Sequence, residues 1–387
     1  MKAAPHLPIS NHRAVLLTGA TGIVGSHVLY ELLVERLAGT CTGHLYLLVR
    51  TLPFQATEPA ARIHRLLQKP HIPEYLYRYD LVELLQHITV ISCDFTVDDL
   101  SEPIASIAES DLFVIHAAAS TNLSPDAEAE QENHKSNYLG SERLLLACKH
   151  KCVRFTYIST AYSCGIQTGG IPTDYSQLAV TKHRNPYEAN KYASEQMLAA
   201  HCAELGIDLQ VLRPGVVVSR LLDAPLYYMP RFNVIFAFAA FFYGLQQKGY
   251  KDQIPIMIRA GATMHLIPLD YVAKAIARLY KEPSITACNI VPSRGYEVKP
   301  LIELMLREVG YQHYCFTSKK AVSKSKMVQI YQSRVEPSFG PYIMDSPYTF
   351  ETSELQSVMH DVPLPDIPSL YAKMMSVAVE RGFSSNL

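Results

Sequence analysis

Ala14-Val15-Leu16-Leu17-Thr18-Gly19-Ala20-Thr21-Gly22-Ile23-Val24-Gly25 is the stretch whose reading decides the fold. Its first five residues make a short, mostly apolar run that predicts a buried strand. From Gly22 to Leu37 the pattern is that of an amphipathic helix. The turn between them carries Gly19, Gly22 and Gly25. Small residues there let the backbone approach a pyrophosphate, and the N-terminus of the following helix favours its negative charge. Gly19, Thr21, Gly22, Ile23, Val24 and Gly25 are therefore candidate contacts of a dinucleotide cofactor.

Working outward, the next two hundred residues alternate short β-rich runs with helical patterns. Strands are expected at Leu45–Val49, Ile88–Ser92, Leu112–His116, Arg154–Ile158 and Leu209–Leu212, and helices at Glu128–His150 and Tyr187–Leu205. Such alternation calls for a doubly wound, Rossmann-type parallel sheet with helices on both faces. After Arg213 the rhythm changes. Pro214-Gly215 breaks it, a Pro- and Tyr-rich stretch follows, and helices are expected at Tyr271–Tyr280 and Lys299–Gly310. The expected organisation is an N-terminal extension at 1–12, a cofactor-binding α/β domain at 13–219, and a smaller α/β substrate lobe with the C-terminal region at 220–387.

Ligands of such sheets bind beyond the carboxyl ends of the strands, so strand ends are where chemistry is sought. The second strand ends at Arg50, and no Asp or Glu stands between Glu35 and Glu58. An acid there would hold an adenosine ribose, whereas an arginine accommodates a 2′-phosphate. Arg50, with Arg62 as a second phosphate contact, predicts NADP(H) over NAD(H). The third strand ends in Asp94-Phe95, where Asp94 suits the adenine amino group. The fourth ends in His116-Ala117-Ala118, whose small alanines let the sheet lie close beneath the nicotinamide. His116 reads as a packed strand residue. Asn137, on the next helix, reads equally as an active-site brace or as a structural residue.

The fifth strand ends in hydroxyls, Ser159 and Thr160. Some thirty residues on stand Tyr187 and Lys191, at i and i+4 on one helix face. A phenol of ordinary pKa about 10 is a poor acid–base group at neutral pH, and a nearby ammonium would lower it. The expected centre is thus Thr160, Tyr187 and Lys191, with Ser159 the rival of Thr160.

The bulk properties exclude several alternatives. A net charge of −1 and a hydrophobic share of 48% argue against nucleic acid and fit a globular protein. The N-terminal residues lack the apolar core of a signal peptide. The eight cysteines show no metal-site spacing, and free thiols suggest a reducing, cytoplasmic setting. Val234–Leu245 is apolar, but twelve helical residues cover only about 18 Å, too short to cross a bilayer. It is left as buried core, a wall of an apolar pocket, or a contact surface.

Together these stretches resemble the extended short-chain dehydrogenase/reductases, and within them the branch of thioester reductase domains and fatty acyl reductases (male-sterility type). The resemblance covers roughly Arg13 to Gly310. It rests on the glycine loop, Leu48-Val49-Arg50, His116-Ala117-Ala118-Ala119-Ser120-Thr121-Asn122, Ile158-Ser159-Thr160-Ala161-Tyr162, Tyr187-Glu188-Ala189-Asn190-Lys191, Leu212-Arg213-Pro214-Gly215-Val216-Val217 and Leu266-Ile267-Pro268-Leu269-Asp270-Tyr271-Val272. The resemblance implies NADPH as hydride donor, with Tyr187 and Lys191 also touching the cofactor and Pro214, Gly215 and Val217 completing its contacts. It implies a carbonyl substrate such as an acyl thioester, reduced to an aldehyde or alcohol. Asp270 is expected to cap a helix. Asn190 replaces a common Ser and Gly215 another, departures that bear on the substrate. With no adenylation or carrier segment recognisable, the thioester is expected on a separate carrier or coenzyme A. A homodimer is compatible with the sequence. Two other readings stand beside this one: a dehydrogenase, isomerase or epimerase of a sterol-like or sugar-nucleotide substrate, and a non-catalytic NADP(H) sensor.

Overall fold

The opening apolar run forms strand β1 (Ala14–Thr18), buried along its whole length. The structure is a computed structural model describing residues 11–51, 58–180 and 182–385. Most of the expected N-terminal extension lies outside the described residues. After the glycine turn comes helix α1 (Ile23–Leu37). Strands β2 (Leu45–Val49), β3 (Ile88–Ser92), β4 (Leu112–His116), β5 (Cys152–Ile158) and β6 (Asp208–Pro214) follow the sequence pattern closely. A seventh, β7 (Ala287–Ile290), comes from the chain beyond residue 219 and was not expected. All pair in parallel, in the order β7-β6-β5-β4-β1-β2-β3. The order reverses between β1 and β4, so a crevice opens there at the carboxyl ends.

Burial explains why these runs became strands. Residues of β1 and β4 are buried on both faces, and continuous apolar runs are what a sheet covered by helices on both sides demands. On one face α1 packs with Val272 and Ile276 of a later helix. On the other, Leu144, Leu145 and Leu198 close over Leu16 and Val114.

The helix expected at Glu128–His150 is broken into α2 (Ala127–Asn133), a π-helical turn at His134–Leu139, and α3 (Gly140–Cys148). Such π turns concentrate at functional sites, and this one carries Asn137. Helix α4 (Pro186–Leu205) begins with proline at its first position. Asn185 caps it by accepting from the Glu188 N–H at 3.0 Å.

Beyond the sheet, α5 (Ile235–Gln247) is the apolar run. Phe236, Phe238 and Phe242 are buried, and Phe238 stacks on Phe339 at 4.1 Å. These phenylalanines belong to a second core with Tyr311 and Tyr331, so of the readings left open, burial in a core holds for them. Among the described residues no helix is long and apolar enough to cross a membrane. Helix α6 (Leu269–Leu279) is capped by Pro268 rather than Asp270. The Asp270 carboxylate instead accepts the backbone N–H groups of Leu221, Leu222 and Asp223, which turns an expected helix cap into a clamp on a distant loop. Further on, α7 (Glu336–Ile343) precedes a short strand, Tyr348–Phe350, that pairs with Gly169–Ile171.

Candidate active site

The crevice holds a cavity of about 810 Å3, the size of an ordinary small-molecule site. Every candidate cofactor and catalytic residue singled out in the sequence lines it. The glycine loop is shaped by close main-chain approach. Gly19 has φ +76°, and a Cβ there would lie 2.6 Å from the Ala118 nitrogen. A Cβ on Gly25 would lie 2.2 Å from the Gly19 oxygen. Gly22 precedes the first turn of α1, which has no acidic residue and no side-chain cap. The unpaired N–H groups of that turn, beside a cavity cleared of side chains, fit the pyrophosphate of a dinucleotide.

Positive charge gathers on the same side. Arg62 donates to the Arg50 carbonyl at 2.8 Å and to the Thr21 hydroxyl at 2.9 Å. Burial, then Arg50 and Arg231, pull the Arg62 pKa down, as expected when cations crowd without an acid. Asp94 lines the cavity while its carboxylate accepts from the Thr96 N–H at 2.9 Å and hydroxyl at 2.7 Å. Phe95 meets His116 edge-on with ring centres 5.2 Å apart.

His116 is a packed residue. Its Nδ1 lies 2.7 Å from the Thr18 hydroxyl and its Nε2 lies 2.9 Å from that of Ser141. Burial, reinforced by Lys191, lowers its pKa to about 3, so it stays neutral. The Thr18 hydroxyl accepts the Ala118 N–H at 3.1 Å, fixing the strand end under the cavity. Asn137 braces the same loop from both sides: its carbonyl oxygen accepts the Ser120 N–H at 2.8 Å, and its amide donates to the Ser120 carbonyl at 3.0 Å.

Thr160, Tyr187 and Lys191 converge on the cavity wall. Tyr187 is half-buried and lines the cavity beside Thr160. Ser159 points its hydroxyl elsewhere, donating to Glu195, whose carboxylate is held by Arg213 at 2.7 Å. Lys191 is fully buried; its Nζ donates to the Tyr157 hydroxyl at 3.1 Å and the Ile158 carbonyl at 2.7 Å. Burial lowers its pKa to about 7, opposed by Glu195. Tyr187 departs from the expectation of a depressed phenol. Burial, then Glu188, raise its pKa, with Thr160 acting in the other direction. The ammonium spends two of its protons on Tyr157 and Ile158, so the i, i+4 spacing gives a shared wall and no direct bond.

Several lining residues escaped the sequence reading. Met229, Arg231 and Asn233 arrive from the segment after β6, Met264 from farther on, and Tyr342 from α7, whereas Val234 opens the apolar run with a pocket wall among its expected roles. Val234 has φ +48°, a strained conformation for a β-branched residue, at the cavity's edge. Tyr162 was legible, since it ends the hydroxyl-bearing stretch. The others have no local signature.

Comparison with known proteins bears on the fold and the family. The profile of the male sterility protein family matches residues 17–276. An isonitrile lipopeptide synthase of Mycobacterium tuberculosis is 26% identical over 292 residues, 70% of this chain and 11% of that protein. A carboxylic acid reductase of Mycobacterium marinum is 27% identical over 296 residues, 71% of this chain and 24% of that protein. The aligned region thus spans a quarter or less of these relatives' own length. Among solved structures, the terminal R domain of the myxalamid biosynthetic pathway superposes with TM-score 0.66 at 20% identity, covering 96% of this chain and 91% of that one. A UDP-glucuronic acid 4-epimerase of Bacillus cereus gives TM-score 0.63 at 17% identity, covering 95% and 99%. At these identities the superpositions establish the fold. The family profile carries the assignment further: with its glycine loop and parallel sheet, this chain belongs to the male sterility protein family of extended short-chain dehydrogenase/reductases, which are NAD(P)-dependent oxidoreductases.

Proposed function

We propose that the protein is an NADPH-dependent reductase of an acyl thioester presented on coenzyme A or on a carrier. The observation that carries the reading is that Thr160, Tyr187 and buried Lys191 line one cavity with the glycine loop. When bound, the nicotinamide would supply a hydride to the thioester carbonyl carbon. Tyr187 delivers the proton to the carbonyl oxygen, and Thr160 orients that oxygen by hydrogen bonding. A half-buried phenol of raised pKa keeps its proton until negative charge develops on the oxygen it faces. Lys191, with a pKa of about 7, holds positive charge behind the phenol as that proton leaves.

Arg50, Arg62 and Arg231 line the cavity, and no Asp or Glu stands between Glu35 and Glu58 to receive a ribose at the end of β2, which supports NADPH over NADH. The mycobacterial carboxylic acid reductase and the R domain support a thioester substrate by kinship. The apolar lining from Val216, Met229 and Met264 supports an acyl group rather than a sugar.

The test is consumption of NADPH and of NADH with an acyl-coenzyme A, its aldehyde, a simple ketone and a UDP-sugar. Oxidation of NADPH with the acyl-coenzyme A, releasing free thiol, is the expected result. Turnover confined to the ketone or the UDP-sugar would overturn the substrate assignment, and equal use of NADH would overturn the cofactor assignment.

A further inference from the structure

Residue 276 ends the family match, yet the cavity is completed by a side chain sixty-odd residues later. Tyr342 of α7 is buried, 7% exposed, and lines the cavity together with Thr160, Tyr162, Tyr187 and Met264. Its ring is held from several directions. The edge of one ring meets the face of the other between Tyr342 and Tyr162, with centres 5.3 Å apart. The Arg184 guanidinium lies 5.4 Å from the Tyr342 ring centre. Its hydroxyl accepts from the Asn185 amide at 2.8 Å. Asn185 and Glu188 flank Tyr187 at the start of α4.

Arg184, the hub of this cluster, is bound from the same distant segment. It donates to both Glu188 oxygens at 3.3 and 3.2 Å, pairs with Asp345, and donates to the Tyr348 hydroxyl at 3.4 Å. A ring fixed at its hydroxyl, its face and its edge cannot rotate aside to admit a bulky group. Hydrophobic pockets discriminate by such shape limits.

We propose that Tyr342 is a specificity-determining residue, a rigid stop beside Tyr187 that limits the bulk of the acyl group next to the reacting carbonyl. This rests on the reading of the substrate as an acyl thioester. Bulk near the carbonyl is selected by a residue outside the family-wide part of the chain, while the proton donor lies within it.

The experiment compares wild type with Tyr342→Ala and Tyr342→Phe, each loaded with NADP+. Binding of non-reducible S-alkyl-coenzyme A thioethers, one straight-chain and one branched beside the sulfur, is measured by calorimetry. In parallel, NADPH oxidation is followed with the matching acyl thioesters. Wild type is expected to favour the straight ligand, and Tyr342→Ala to shift the affinity ratio toward the branched one by about tenfold or more. Tyr342→Phe, which keeps the ring, should hold the wild-type ratio. If Tyr342→Ala fails to fold, Tyr342→Leu takes its place, since it also removes the ring. An unchanged ratio in a folded ring-deleted variant overturns the inference while leaving the thioester reading intact. A shifted ratio with no thioester reduction by wild type overturns the thioester reading and leaves the stop in place. Failure of wild type to bind either thioether overturns both.

Discussion

At its glycine end the cavity is walled by main chain. Gly19 and Gly25 admit no Cβ because backbone atoms of Ala118 and Gly19 already fill the space, and Ala117 and Ala118 add almost no side chain. At the opposite end the wall is made of side chains from far apart: Tyr162, Met229, Met264 and Tyr342. The first end is specified by the glycine loop and one further strand end, each a short run legible on its own. The second exists only after segments separated by well over a hundred residues have packed together. A wall of main chain suits a ligand common to a whole family, because few side-chain substitutions can alter it. A wall of scattered side chains suits a ligand that varies, because each contributor can change alone.

Three substitutions probe this contrast. The largest effect belongs to the group between the two ends. Tyr187→Phe keeps the ring and removes the proton, so kcat should fall by about 10²–10⁴-fold while nicotinamide cofactor affinity, read by fluorescence titration, stays near wild type. Near-normal turnover would dismiss Tyr187 as the donor. Next comes Phe238→Ala, which removes the ring stacked on Phe339 in the second core. It should cost about 3–5 kcal/mol in urea unfolding. Preference among acyl chain lengths should not change, and a changed preference with intact stability would move α5 onto the cavity wall. The smallest effect is expected at the exposed Arg50. Its replacement by Ala should weaken NADPH about tenfold, the size of one charged hydrogen bond, with little change for NADH. Comparable weakening of both cofactors would make Arg50 a structural residue.

The same contrast explains what the sequence disclosed. Strands β1, β2 and β4 match their expected limits, because a strand buried on both faces writes itself as a largely apolar run; β3, at the sheet edge with only Ile91 buried, was marked instead by its β-branched residues. The Asn-containing helix was legible as a helix, but its π turn was not, since nothing in residues 134–139 departs from ordinary helical spacing. Strand β7 escaped because Ala287–Ile290 is four residues long and includes Asn289. Thr160, Tyr187 and Lys191 could be gathered to one wall by order and spacing alone. Their hydrogen bonds could not: that Lys191 turns to Tyr157, or that Glu195 occupies Ser159, depends on which neighbours the sheet supplies. Asp270 shows the limit most directly. Its place at a helix start was readable, while its true partners, the N–H groups of residues 221–223, lie about fifty residues away.

The bond from Arg184 to Asp345 spans 161 residues of chain, which sets a timetable on the ribosome. At synthesis rates of about 5–20 residues per second, Asp345 emerges roughly 8–32 s after Arg184. Through that interval the counter-charge of Asp345 is absent. Glu188, four residues on, supplies one as soon as the first turn of the helix forms. The nascent chain thus carries a local partner that holds the arginine in register until the distant one arrives. The helix bearing Tyr187 acquires its final surroundings only after Asp345 has emerged.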